Sequence, residues 1–359
     1  MSDTPYWVAF TRIPTIGRAR IERLEAAFGS LHDAWGASGS ELKEAGLDAK
    51  ALAAVLAGRQ RIDPAAEMER LARAGIEALT WHDPRYPARL REAYDRPPVL
   101  YMRGTMRDSD DWSVAVVGTR RATPYGRQAA EGIAEGLVRA GVTVVSGLAR
   151  GIDAIAHQAT LRTGGRTIAV LPCPVDEVYP AGHARLAAQI AESGALLSDY
   201  PLGARMQRES FWRRNRIVAG MTLGTVVVEA GESSGALLTA KLALDENREV
   251  FGVPGSVFAP MSRGTNALIQ QGAKLVRNAD DILTELDLMR VPQQLELRQA
   301  VPQDSTETAL LELLGSEPLH VDDITRGASL PTATVSGALA MLELKGMIRQ
   351  VGGMQYVRT

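Results

Sequence analysis

From Ser113 onward the chain alternates short β-branched runs with helical patterns, and this limits the fold more than any other feature of its 359 residues. The runs Val114–Val117, Val142–Val145, Thr167–Leu171, Ala195–Ser198, Thr225–Val228 and Glu249–Val253 are apolar on both sides of the pleat, so both sheet faces must be covered. Between them lie helical patterns such as Tyr125–Ala140, ended by Gly141, and Ile152–Arg162, ended near Gly164. Strand–helix alternation of this kind predicts an α/β fold with a Rossmann-like, doubly wound, mostly parallel sheet over 113–290.

The flanks read differently. Residues 1–80 read as a small helical domain. In it Ile13-Pro14-Thr15-Ile16-Gly17 feeds an amphipathic helix carrying Ile21, Leu24 and Phe28, with Gly29 just past its end. That turn is like a helix-hairpin-helix element, whose backbone amides can hold a phosphate, but 7 basic against 7 acidic residues across 1–60 leave a plain helical bundle open. Residues 81–112, rich in Pro and Tyr, read as an extended connector packed on the α/β domain. After a linker at 291–305, the patterns Thr308–Leu314, Val321–Arg326 and Thr332–Lys345, then a hairpin across Gly352-Gly353, predict a winged helix at 306–359.

In open α/β sheets the loops after the strands carry the ligand. The first, Gly118-Thr119-Arg120-Arg121-Ala122-Thr123-Pro124-Tyr125-Gly126, puts two arginines where a dinucleotide fingerprint has its second glycine. The second strand ends in Ser146-Gly147, with no carboxylate for a ribose hydroxyl, so a dinucleotide cofactor is disfavoured and no other cofactor is expected. The loop from Ser146 to Asp153 again offers small residues at a helix start; Asp153 either caps that helix or orients an arginine. Next comes Arg208-Glu209-Ser210-Phe211-Trp212-Arg213-Arg214-Asn215-Arg216. Guanidinium groups pair bidentately with phosphate, and an aromatic beside them can stack an unpaired base, which a duplex does not offer. This interleaving predicts single-stranded nucleic acid as ligand. Trp212 is left open between core and stacking surface. Glu229, at a strand end, is a lone candidate carboxylate, expected to tie down an arginine; His157 and His183 lack metal-ligand spacing and are expected at the surface or as caps.

Charge supports the placement. The net charge is −2, but from Ser113 to Asn278 there are 18 Lys+Arg against 13 Asp+Glu, and from Thr306 to Thr359 there are 4 against 6. The single Cys173 excludes an intramolecular disulfide, no leader opens the sequence, and no apolar run is long enough to span a bilayer; no membrane association and a cytoplasmic place are expected.

The strings VAVVGTRRATPYG, SGLARGIDAIAH, LPCPVDEVYP, FWRRNRIVAG, VVVEAGESSGALLTA, REVFGVPGS and RGTNALIQQGAKLV, in that order over about 113–278, resemble the DNA-processing protein A family, also called Smf. The resemblance implies a non-catalytic protein that binds single-stranded DNA, forms a homodimer and loads the RecA recombinase during natural transformation. By motif position it implies phosphate contacts at Gly118, Arg120, Ser146, Gly147, Arg214, Asn215 and Arg216, base stacking at Phe211, and further cations at Arg208 and Lys241. Trp212 departs from the family, which frequently has Pro there. The winged helix is expected to bind protein, or DNA only weakly, because Pro331–Lys345 carries no cation before Lys345. The alternative is an enzyme like the nucleoside-monophosphate phosphoribohydrolases, whose P-G-G-x-G-T-x-x-E signature is replaced here by GESSGALLTA.

Overall fold

The apolar runs form the middle of a nine-stranded sheet in the computed structural model, which describes residues 3–288, 305–315, 318–328, 330–344 and 347–358. The strands are β1 (Glu77–Thr80), β2 (Val99–Gly104), β3 (Ser113–Val117), β4 (Thr143–Ser146), β5 (Thr167–Val170), β6 (Ala195–Ser198), β7 (Gly224–Val227), β8 (Glu249–Gly252) and β9 (Lys274–Leu275). Their spatial order is β1-β2-β6-β5-β4-β3-β7-β8-β9. Neighbours from β6 to β9 are parallel, whereas β2 runs antiparallel to both β6 and β1. Every residue of β3 to β7 is buried, as a sheet covered on both faces requires.

Helices α1 (Thr4–Thr11), α2 (Arg18–Phe28), α3 (Leu31–Gly36), α4 (Gly39–Glu44), α5 (Ala49–Arg59) and α6 (Pro64–Arg73) precede β1, and α7 (Ala88–Glu92) lies between β1 and β2. The crossovers and closing helices are α8 (Pro124–Arg139), α9 (Ile152–Arg162), α10 (Ala184–Ser193), α11 (Ser210–Gly220), α12 (Gly235–Asp245), α13 (Arg263–Gln270) and α14 (Ala279–Glu285). Local chemistry sets their ends. Thr123 Oγ1 accepts from Gly126 N at 3.1 Å and Pro124 occupies the first turn of α8, while Gly29 ends α2 at φ +75°. The chain winds outward from β3 through β4, β5 and β6, then returns to β7 on the other flank of β3. That reversal opens a crevice at the carboxyl ends of β3 and β7.

The chain divides into two compact units, Met1–Met289 and Arg290–Thr359, so the boundaries expected at 80/81 and 112/113 both fall inside the first. The stretch read as an extended connector supplies an inner strand instead: Val99–Met102 are buried and pair with β1, and Tyr101–Gly104 pair with β6 on the other side. Flanking prolines hide that strand in the sequence; Pro97 and Pro98 stop just before it, where no ladder donor is lost. One core runs from Trp7 and Phe10 in the helical region to Ile168 and Leu197 in the sheet.

The second unit holds α15 (Ser305–Leu313), β10 (Leu319–His320), α16 (Val321–Ala328), α17 (Thr332–Leu344), β11 (Ile348–Gly352) and β12 (Gln355–Arg358), with strand order β10-β12-β11. Leu310, Leu314, Ile324, Val335, Leu339 and Ile348 form its own core, the arrangement of a winged helix. All but the last residue of the linker expected at 291–305 lies outside the described residues. Among the described residues no helix is long and apolar enough to cross a membrane.

Candidate nucleic-acid interface

Three loops converge on the crevice, each held by its backbone. Thr119 N donates to Glu229 O at 2.7 Å and Ile152 N donates to Thr119 O at 3.2 Å, which joins the loops after β3, β4 and β7. Gly118 packs under Ile152 and Gly151 packs on Thr119 at φ +77°; a Cβ at either would strike its neighbour. Above these loops, with α11 on one side and the start of α12 on the other, opens a cleft of about 800 Å³.

The cleft floor rests on one buried guanidinium. Arg214 is 5% exposed, and its Nη1 donates to the carbonyls of Gly147 and Val170, clamping the ends of β4 and β5 together. The group lies flat on Gly147, where a side chain would displace it. Asp153 accepts from Gly147 N at 3.2 Å and Ala149 N at 3.3 Å, so it organises the loop rather than capping α9. Burial pushes the Asp153 carboxyl up and the Arg214 guanidinium down from their ordinary values; each charge, standing in the other's field, opposes the other's shift. Arg214 Nε also donates to Asn215 Oδ1 at 3.0 Å, which turns the Asn215 amide toward Gly235 on α12.

The exposed part of the cleft has the opposite character. Arg120, Arg121 and Arg208 line it, are exposed, and have no carboxylate within ion-pair distance among the described residues. Phe211 lies half-buried, with the Arg120 guanidinium 5.1 Å from its ring centre and the Tyr179 ring in edge-to-face contact at 5.3 Å between centres. Trp212, one residue on, is 49% exposed and lines the same cleft. Cations without partners beside ring faces can bind an anion and a flat apolar group at the same time.

Of the residues expected at the site, Gly118, Arg120, Gly147, Arg208, Phe211, Arg214 and Asn215 line the cleft. Three others do not. Ser146 is fully buried and donates from Oγ to Val116 O at 2.6 Å. Arg216 turns to the far side of α11, where Nη2 meets Asp199 at 2.5 Å and Nε meets Asp95 at 3.3 Å. Lys241 is exposed on α12, outside the lining.

Two expectations are corrected. Among the described residues Glu229 holds no arginine: its carboxylate accepts from Thr123 N at 3.0 Å and Thr123 Oγ1 at 2.5 Å, at the start of α8, where the helix dipole favours a negative charge. His157 is not at the surface. It is fully buried and shares a 2.6 Å hydrogen bond with Thr167, and burial lowers its pKa from 6.5 to about 3, with the Arg214 charge adding to the effect. His183 is partly buried, with Nδ1 3.0 Å from Leu148 O. The Tyr179 ring that supports Phe211 was not expected from the sequence; its signal is an aromatic closing the Pro-rich turn after β5.

A model of the DNA recombination-mediator protein A family matches residues 77–287, and a model of the DprA winged helix domain matches 292–354. The chain is 34% identical to Protein Smf of Synechocystis sp., covering 99% of each chain. Among solved structures it is similar to DNA processing protein A from Streptococcus pneumoniae, at 33% identity and TM-score 0.69, covering 79% of this chain and 99% of that one. It is also similar to DNA processing protein A from Helicobacter pylori, whose structure was described for its single-stranded DNA binding mode: 31% identity, TM-score 0.53, covering 59% of this chain and 95% of that one. By the family model over its sheet and the relatives along its length, the chain belongs to the DNA recombination-mediator protein A family.

Proposed function

We propose that this protein grips single-stranded DNA in the cleft at the ends of β3, β4 and β7, does no chemistry on it, and hands it to the RecA recombinase as a homodimer. One observation carries the reading: among the described residues, Arg120, Arg121 and Arg208 line the cleft beside Phe211 without carboxylate partners. Phosphates neutralise the arginines, and only unpaired bases can reach the rings. The relative from Helicobacter pylori, described as binding single-stranded DNA, supports the same ligand. Ser146 and Asp153 act beneath the grip by shaping its loops; Arg216 and Lys241 join it only where the strand extends beyond the cleft. The winged helix serves protein contact or weak DNA contact, since α17 carries no Lys or Arg.

The test is an anisotropy titration with a dT oligonucleotide against the matching duplex. The expected result is tighter binding of the single strand; equal or tighter binding of the duplex overturns the proposal. The enzymatic alternative has Glu229 as its carboxylate, but both oxygens of that group are engaged by Thr123. Incubation with AMP is expected to release no adenine.

A further inference from the structure

A tryptophan exposed on a folded surface is costly unless something covers it, because the side chain presents some of the largest apolar area of any residue. This chain has five tryptophans. Trp7 and Trp81 are buried, at 2% and 4% exposure, and Trp35 and Trp112 are partly buried. Trp212 is 49% exposed, and it stands on the wall of the cleft. Across from it on α12, Leu238 also lines the cleft and is 36% exposed. The two helices pack against each other, and both apolar side chains line the cleft.

The neighbouring ring is in a different state. Arg120 already covers one face of Phe211 and Tyr179 meets it edge-on. Around the helix, Phe211, Arg214, Asn215 and Val218 recur at the spacing of one face, while Trp212 is displaced one residue outward. A strand whose phosphates meet Arg120 and Arg208 therefore passes two aromatic surfaces.

We infer that Trp212, with Leu238 opposite, is a second base-stacking subsite, which takes the nucleobase next to the one held at Phe211. The inference rests on the proposal that the cleft binds single-stranded DNA. Stacking needs a π-face and no hydrogen-bond pattern, so the subsite accepts any base and favours the larger purine surface.

The experiment uses the full chain, with wild type, W212A and W212F, titrated by anisotropy with a dT oligonucleotide and with the same strand bearing abasic positions. Stacking on one ring corresponds to roughly five- to a hundredfold in affinity, and a ring at the lip falls at the lower end. W212A is expected to lose about fivefold on dT with an unchanged salt slope, because no cation is removed. W212F recovers most of that loss, and on the abasic strand W212A and wild type bind alike. Intrinsic fluorescence of the wild type is quenched by dT, and the quench disappears in W212F. W212A binding dT as tightly as the wild type, or a quench that persists in W212F, overturns the subsite while leaving the cleft reading in place. A wild type that binds no single strand removes the cleft reading and the subsite with it.

Discussion

The start of α2 and the cleft both offer arginines near a helix beginning, yet their chemistry differs. At α2, Arg18 pairs with Glu22 at 2.8 Å, Arg20 with Asp48 at 2.5 Å, and Arg12 in the preceding turn with Glu67 at 3.3 Å. In the cleft, Arg120, Arg121 and Arg208 have no such partner among the described residues. Number and proximity of arginines are similar; available charge is not. A phosphate arriving at α2 must displace a carboxylate, while one arriving at the cleft displaces only water and counterions.

The largest test of this contrast removes the floor that holds the cleft open. Arg214→Ala leaves the Gly147 and Val170 carbonyls unpaired and Asp153 without its opposing charge. Breaking a buried charge constellation typically costs about 3–5 kcal/mol, so a drop of that order in unfolding free energy by denaturant titration is expected, with loss of DNA binding. A fully stable variant would show that the floor is not built on Arg214.

A somewhat smaller effect comes from His157 beneath the same floor. Its pKa is about 3 in the fold against 6.5 for the free side chain. Between those values the unfolded chain binds a proton that the folded chain refuses, so stability is full above pH 6.5 and falls as pH drops toward 3. The contribution falls by on the order of 1 kcal/mol per pH unit in that window. Denaturation midpoints at pH 7 and pH 5 should differ less in His157→Gln than in the wild type.

Next in size are the groups that line the open part of the cleft. Arg120→Ala and Phe211→Ala should each weaken dT binding by about tenfold, the first with a shallower salt slope and the second without. The smallest effect belongs to the other half of the comparison. Arg18→Ala should change dT affinity less than twofold and stability by about 1 kcal/mol or less, since the Arg18–Glu22 i,i+4 pair is only partly buried. A loss as large as that of Arg120→Ala would erase the distinction between paired and free arginines.

The central strands were legible because burial on both faces leaves uninterrupted β-branched runs; Ala195–Ser198 falls where the sequence places it, and the others differ by one residue at their ends. The edge was not legible. β2 is read through Pro97 and Pro98, and β9 is two residues long, so neither produces a pattern. At the site, residue type showed which side chains could bind phosphate but not which were free to do so. Arg208, Arg214 and Arg216 lie within nine residues, yet one is exposed, one buried under a loop and one paired to Asp199. Helical direction and long-range partners decide among them, and neither is written locally. Glu229 and His157 were misplaced for the same reason: their partners, Thr123 and Thr167, are 106 and 10 residues away.

The salt dependence of dT binding, compared between wild type and the triple variant Arg120→Ala, Arg121→Ala, Arg208→Ala, measures the free charge itself. Each phosphate contact to a single strand contributes about 0.7 to the slope of log K against log salt, so losing three should flatten it by about 2. A slope that flattens by that amount, with affinity for dT reduced at low salt, is the predicted result. A triple variant that keeps the wild-type slope would mean that the cleft arginines do not hold the phosphates, and would contradict the account.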